Sequence, residues 1–384
     1  MFRTVMMAGF VLKIGNYSFP AVDAGIYLNH AGVAPLSGVA LEALCTYAKQ
    51  ASQSAYVGWD WYDRCNQIKN DLAKLIGAAD GHSIAFVPNT STGLNLVANG
   101  IDWQQGDSVV VTAAEYPANR YVWDHLAKRG VKVIVVSQVE HGVIEVDRLC
   151  DAIENKTRIV SISHVQYSSG FCIDLKPISQ RVHQAGGYLC VDGIQSVGVM
   201  PVDVVNMGID FFTADGHKWL LGPEGAGFFY CRPDLLEWLE PSVVGWLNVV
   251  NPFDFGTHRF EFAKTARRFE AGTYNIGGQL ALGASVAMML DLGIENIWQK
   301  VLSLTDYLCQ GLIAKGYHIF SPRDQGQKSG IVVFEKQSLP NLDSIIHELN
   351  KEAIVIVSRG GRLRASPHFY NTYQQLDALL AKLP

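Results

Sequence analysis

The segments Tyr188-Leu189-Cys190-Val191-Asp192-Gly193-Ile194-Gln195 and Asp210-Phe211-Phe212-Thr213-Ala214-Asp215-Gly216-His217-Lys218-Trp219 are built alike. Each holds a short apolar run that breaks off at a carboxylate and a glycine. Runs of this length without polar alternation read as strands buried on both faces. Comparable runs stand at Ser83 to Val87, Ser108 to Thr112, Val131 to Val136, Arg158 to His164 and Gly227 to Cys231, with longer polar-apolar segments between them. Several of those segments stop at a glycine able to take positive φ, namely Gly130, Gly186 and Gly208, as helices do. Strand alternating with helix predicts an α/β fold whose mostly parallel sheet is covered on both faces.

Upstream of this series, Leu36 to Lys49 and Tyr62 to Ile76 read as helices that clamp one side of the large domain. Downstream of about Phe255 the pattern changes to a glycine-containing loop, a helix from Gln279 to Leu292, and further helices and strands. The last helix, Thr372 to Leu383, opens with the capping box Thr372-x-x-Gln375. The expected division is an N-terminal arm at 1–30 packing on the small domain, a large domain at 31–270 and a smaller α+β C-terminal domain at 271–384, without a linker.

With 384 residues, 48% of them hydrophobic and 17% charged, the chain can bury a large core, which excludes disorder as its main state. The 31 Lys and Arg against 36 Asp and Glu leave a net charge of -5 and no run of either sign, so neither nucleic acid nor an anionic membrane is an expected partner. Met1 to Gly15 is apolar but broken by Arg3 and Lys13; it lacks a convincing cleavage site and is shorter than the ~20 residues of a membrane span. Leu280 to Leu290 is also too short and reads as a buried helix. Seven cysteines form no C-x-x-C pair and lie largely in apolar runs, which points to reduced buried thiols, no metal site and a cytoplasmic protein.

The common nucleotide-binding, hydrolase and zinc-protease motifs are missing. In open parallel sheets ligands bind at the carboxyl ends of strands, so polar residues there are the candidates. Thr90 and Ser91 follow the first run and open a helix, where free N–H groups bind phosphate or simply receive a cap. Tyr116 follows the second and could stack on a planar ligand or pack in a turn. His164, Gln166, Tyr167 and Ser168 follow the fourth, suited to a site or to structural hydrogen bonds. Asp192 and Gln195 follow the fifth, and a carboxylate there is costly without a cation. Lys218 sits in a tight aromatic-flanked turn, where desolvation lowers the pKa and fits a Schiff-base amine.

Taken together these positions resemble the class V aminotransferase group of pyridoxal-phosphate enzymes, which includes cysteine desulfurases, kynureninase and isopenicillin-N epimerase. The resemblance runs from Tyr27-Leu28-Asn29-His30-Ala31 to Arg364-Ala365-Ser366-Pro367-His368-Phe369-Tyr370-Asn371. It implies an aspartate aminotransferase-like fold with pyridoxal 5'-phosphate on Lys218 as a Schiff base, Lys218 then moving the substrate α-proton. It further implies that Asp192 pairs with the pyridine nitrogen, Gln195 lies near the phenolic oxygen, and Tyr116 stacks on the ring. Thr90, Ser91 and His217 would contact the phosphate, with Tyr167 at the cofactor as well. Thr273, in Phe269-Glu270-Ala271-Gly272-Thr273, would reach the neighbouring subunit's phosphate, which implies a homodimer with shared sites. Arg364 would grip the substrate carboxylate, and Asn29 would approach the substrate.

The departures from the desulfurases are equally informative. Val355 to Leu363 holds no cysteine and is too short for their cysteine-bearing loop, so persulfide chemistry on the enzyme is not expected. Tyr116, Tyr167 and Asp215 stand where desulfurases carry histidine, asparagine and serine. These exchanges lean toward the aminotransferase, kynureninase-like or epimerase branches. Transamination of a small amino acid with a 2-oxo acid ranks first because it needs no residue beyond those present, then a cysteine-independent carbon-sulfur lyase, then an epimerase. The alternative outside enzymology is a catalytically silent scaffold of the same fold. Arg359 and Arg362 are candidates for a second acidic group of the substrate, or solvated surface cations.

Overall fold

The computed structural model describes residues 4–7, 10–337, 339 and 341–384. The expected Met1 to Gly15 arm thus lies partly outside the described residues; within them Thr4–Met7 pairs antiparallel with Phe10–Lys13.

Seven strands form the large sheet: β1 (Ile84–Val87), β2 (Ser108–Thr112), β3 (Lys132–Val136), β4 (Thr157–Ser163), β5 (Tyr188–Asp192), β6 (Phe211–Asp215) and β7 (Gly227–Cys231). Their order across the sheet is β1-β7-β6-β5-β4-β2-β3. Only β7 runs against its neighbours; the pairs from β6 to β3 are parallel. The mostly parallel sheet expected from the apolar runs is therefore present, with ends shifted by a residue or two. The expected strand to His164 stops at Ser163, whereas β5 and β6 continue to Asp192 and Asp215. The glycines expected to end helices, Gly130, Gly186 and Gly208, do take positive φ.

Phe211, Phe212, Phe228 and Phe229 are fully buried on β6 and β7, and such side chains contribute roughly 1.5–3 kcal/mol each. Because consecutive residues point to opposite faces, Phe212 and Phe228 join the core on one side of the sheet while Phe211 and Phe229 join that on the other. Helices α1 (Gly38–Ser54), α2 (Trp61–Leu75) and α3 (Thr90–Gly100) flank the sheet, and side-chain caps set the starts of α1 and α3. For α1, the Ser37 hydroxyl accepts the Ala40 N–H at 3.2 Å, which moves the beginning two residues beyond the expected Leu36. The expected Gln279 start of α4 (Ile276–Leu292) moves the other way, because Asn275 caps the Gly278 N–H at 3.0 Å.

A second, antiparallel sheet contains β8 (His318–Ile319), β9 (Val332–Glu335), β10 (Val357–Arg359) and β11 (Arg362–Ala365), in the order β8-β9-β11-β10. Helices α5 (Ile294–Ala314) and α6 (Tyr373–Lys382) cover it, with Leu304, Leu308 and Leu376 buried against Val332, Phe334 and Leu363. The Thr372 capping box expected at the start of α6 is formed. Among the described residues no single helix is both long and apolar enough to cross a membrane; α4 and α5 meet both conditions only together, as a pair bent by 83°.

Candidate active site

The parallel register brings the carboxyl ends of the strands to one edge, with Ser163 beside Asp192 and Asp192 beside Thr213. A cavity of about 390 Å³ opens there. The large sheet supplies Thr90, Ser91, Tyr116, Tyr167, Asp192, Gln195, His217 and Lys218 to its walls, and Asn29, Arg359 and Arg364 close it from the small-sheet side.

Lys218 lies on the turn after β6. The loop is pulled tight by bonds from Leu221 N to Lys218 O at 3.0 Å and from Gly222 N to Gly216 O at 2.9 Å. Leu221 pays for this with φ 54, a left-handed conformation that costs a side-chain-bearing residue roughly 1–2 kcal/mol. Its carbonyl accepts from Ser37 N and the Ser285 hydroxyl, both at 3.1 Å, so the strain is held in place. Burial lowers the Lys218 ammonium from 10.5 to about 8, opposed by the negative charge of Asp192. The amine is thus far more available as a nucleophile than a surface lysine. Asp192, 3% exposed, accepts the Ile194 N–H at 3.0 Å, and burial raises its carboxyl to about 6.

Asn89 caps α3 by accepting the Thr92 N–H at 2.9 Å, leaving the first N–H groups of the helix without intrahelical acceptors. Beside them the buried Thr90 hydroxyl has no partner, so this end of the cavity is prepared for an anion. His217 Nδ1 lies 3.1 Å from Asp215 Oδ2 without hydrogen-bond alignment. Tyr116 meets Tyr167 edge to face at 5.2 Å, and its ring centroid is 5.7 Å from Lys218 Nζ. Gln195 is already engaged: its amide donates to Ala31 O and its oxygen accepts from Trp219 Nε1, both at 3.0 Å.

Arg364, on β11, is 1% exposed and forms no ion pair among the described residues. It donates to Tyr167 O at 2.9 Å and to Asn29 Oδ1 at 3.3 Å, while its Nε is buried without a partner. Burial and the nearby charge of Arg359 lower its pKa to about 10, so it remains a cation at neutral pH. A buried guanidinium with only neutral acceptors calls for a carboxylate or phosphate.

Arg359 and Arg362 face each other across β10 and β11 but serve different surroundings. Arg359 lines the cavity and bonds only to Ser358 O at 3.1 Å. Arg362 instead pairs with Glu335 at 2.7 Å and lies over the Phe320 ring. Between them Gly360 and Gly361 make the turn at φ 56 and 75, the positive values that a two-residue hairpin requires. That turn leaves no loop on which a cysteine could reach the cavity, and none of its lining residues is cysteine. Of the residues that the resemblance places at the cofactor or substrate, Thr273 alone does not line this cavity; it lies on the exposed surface.

The sequence reading passed over Glu115. Buried at 8% exposure and without a cation among the described residues, it accepts from the Thr112 hydroxyl, Asn119 Nδ2, the Ser163 N–H and hydroxyl, and Gln166 Nε2, at 2.6–3.0 Å. These donors fix Tyr116 relative to β4 and explain Gln166 as a structural group. His164 is likewise buried and lies off the cavity wall. The signal available in the sequence was Glu115 itself, a carboxylate three residues beyond an apolar strand.

Pyridoxal phosphate matches the unmet needs of this cavity. Its phosphate suits the Thr90 end, its protonated ring nitrogen suits Asp192, and its aldehyde suits the lowered-pKa amine of Lys218.

A family model described as Aminotransferase class-V matches residues 26–379. A probable cysteine desulfurase of Methanothermobacter thermautotrophicus is 32% identical over 94% of this chain and 94% of its own. An uncharacterized aminotransferase of Bacillus subtilis is 29% identical over 85% of this chain and 87% of its own. Among solved structures, the complex between a cystine C-S lyase and its reaction product cysteine persulfide matches with a TM-score of 0.86 and 25% identity, covering 95% of this chain and 98% of that one.

Proposed function

The chain belongs to the class V aminotransferase family of pyridoxal-phosphate-dependent enzymes, and from that premise we propose that it is a carbon-sulfur lyase of small sulfur amino acids such as cystine. The observation that carries this reading is a cavity with a lysine, an aspartate and a buried unpaired arginine but no cysteine. Sulfur then has to leave on the substrate's own leaving group. The names of the relatives, cysteine desulfurase and cystine C-S lyase, support carbon-sulfur cleavage.

Bound pyridoxal phosphate supplies an electron sink for charge developing at the substrate Cα. Lys218 would hold it, Thr90, Ser91 and His217 would hold its phosphate, and Tyr116, Tyr167 and Gln195 would flank it. Asp192 keeps a proton on the ring nitrogen. Arg364 and Asn29 orient the substrate through its α-carboxylate, and Lys218 removes the α-proton. Arg359, with no carboxylate partner among the described residues, suits the second carboxylate of cystine. The balanced reaction is cystine plus water to pyruvate, ammonia and cysteine persulfide. A cavity of about 390 Å³, near the lower end of the ~300–1,000 Å³ usual for ligand sites, leaves room beside the cofactor for a small amino acid.

The second reading is transamination. It needs no residue beyond Lys218, Asp192 and Arg364, and the Bacillus relative is named an aminotransferase. Purified enzyme given L-cystine without a 2-oxo acid separates the two. Sustained pyruvate release supports the lyase, whereas conversion to a pyridoxamine form that only a 2-oxo acid reverses overturns it.

We also propose a homodimer in which Thr273 reaches the partner's site. Exposed Tyr56 joins Phe253 through Tyr62, and Phe253 and Phe255 both meet Trp246, which packs by Gly272 next to Thr273, so these rings form a continuous aromatic surface. A second copy covering that surface would remove it from water. Seven unpaired cysteines suit a reducing compartment such as the cytoplasm.

A further inference from the structure

Three segments distant in sequence carry the site, and each has an aromatic residue close by: Asn29 precedes His30, Lys218 precedes Trp219, and Arg364 lies four residues before His368. Both imidazoles are fully buried and neither lines the cavity. His30 Nδ1 is 2.9 Å from Ser366 O. A carbonyl only accepts, so Nδ1 carries the proton and Nε2 receives the Tyr370 hydroxyl at 2.7 Å. His368 has the opposite tautomer. Its Nε2 donates to Trp219 O at 2.9 Å, and its Nδ1 accepts the Phe369 N–H at 2.8 Å.

Each ring therefore bridges two segments in one protonation state. Burial reinforces that neutrality by pushing His30 down to about 4 and His368 well below its usual value. The rings also pack together, with His30 and His368 edge to face at 5.2 Å and Trp219 stacked on His30 at 6.1 Å. Phe19 stacks on Tyr370 at 4.4 Å and closes the cluster.

We propose that His30 and His368 are positioning residues, a neutral two-histidine clamp that fixes the turn carrying Lys218 against the strand carrying Arg364 and the segment carrying Asn29. The clamp sets the separation of the amine and the guanidinium, so that one α-amino acid engages both. A planar ring with a donor and an acceptor on opposite edges performs this task; a flexible side chain would let the two sheets shift. The proposal rests on Lys218 and Arg364 as partners of the substrate amine and carboxylate, and is independent of which bond is then cleaved.

The test compares His368→Gln with His368→Asn in the cofactor-loaded enzyme. The Gln amide reaches the Nε2 position and keeps the bond to Trp219 O, whereas Asn keeps only the acceptor for Phe369 N–H. The probe is glycine, with affinity read from the visible spectrum and α-proton exchange into deuterated water read by NMR, alongside the melting temperature. The clamp predicts near wild-type exchange for His368→Gln and a loss of about tenfold or more for His368→Asn, as expected when reacting groups are misplaced by a fraction of an ångström. Tyr370→Phe, which frees His30 Nε2 but keeps the stack on Phe19, should slow exchange severalfold and decides the matter if His368→Asn does not fold. Wild-type exchange in His368→Asn or Tyr370→Phe, or equal losses in His368→Gln and His368→Asn that follow their stability, would overturn the clamp alone. A wild-type enzyme that neither binds nor exchanges glycine would overturn the reading of the site and the clamp with it.

Discussion

Replacing Arg364 isolates the recognition of the substrate carboxylate. A guanidinium has five N–H donors; Tyr167 O and Asn29 Oδ1 use two of them, and Nε is among those left. A carboxylate can thus be held by two charge-assisted bonds, each contributing ~1.5–3 kcal/mol. Arg364→Met removes both and should weaken glycine binding by ~10²–10⁴-fold, since each 1.4 kcal/mol is a factor of ten. Arg364→Lys keeps the charge and one bond, so its loss should be ~10–150-fold. Methylamine has the amine without the carboxylate, and its affinity should be nearly unchanged in both variants. Spectral titration of the loaded enzyme with the two amines reads the ratio directly. Because Arg364 is a buried cation without an anionic partner, Arg364→Met should also leave the ligand-free protein at least as stable as wild type. An Arg364→Met variant that still prefers glycine over methylamine as strongly as wild type, or either variant losing both amines equally, would refute this reasoning.

Other consequences are equally open to measurement. Burial lowers Lys218 to about 8, so the reaction of cofactor-free protein with pyridoxal phosphate should accelerate as pH rises through about 8 and then level off; acceleration continuing to pH 10 would contradict it. The unfolded chain, with its ordinary lysine, binds more protons between those values, so this group costs stability below about pH 8 and the cost is relieved as pH rises. The Lys69–Glu270 pair, 2.7 Å apart with side chains 7% and 1% exposed, also receives the Phe86 N–H of β1 on Glu270. Lys69→Met should lower stability in urea by about 3–5 kcal/mol, and adding Glu270→Gln should restore much of it; a double variant as unstable as the single would count against a buried charge as the cause. Arg359→Gln should raise KM for cystine severalfold and leave that for cysteine almost unchanged; equal effects on both would exclude a distal carboxylate contact.

The large sheet was legible because its strands, the half-exposed edge strand β3 apart, are buried on both faces and therefore appear as uninterrupted apolar runs. Polar residues that break such runs, Asp192 above all, were legible as positions for the same reason. Helix starts were less so, since Ser37 and Asn275 decide them through single hydrogen bonds that compete with the apolar periodicity. Glu115 was passed over because its stability depends on five donors gathered from β2, the helix after it, β4 and the loop beyond β4, a convergence absent from any local stretch. His30 and His368 look like ordinary members of a motif until the fold brings them to 5.2 Å. Arg359 and Arg362, indistinguishable in sequence, separate only when Glu335 claims one of them.

The measurement that bears most directly on the central claim is the product balance from L-cystine without a 2-oxo acid, followed by the intact mass of the protein. The account predicts many turnovers, pyruvate and sulfane sulfur in equal amounts, an unchanged protein mass, and no product from Lys218→Ala. Sulfur retained on the protein, or no pyruvate together with turnover of cystine only when a 2-oxo acid is supplied, would contradict it.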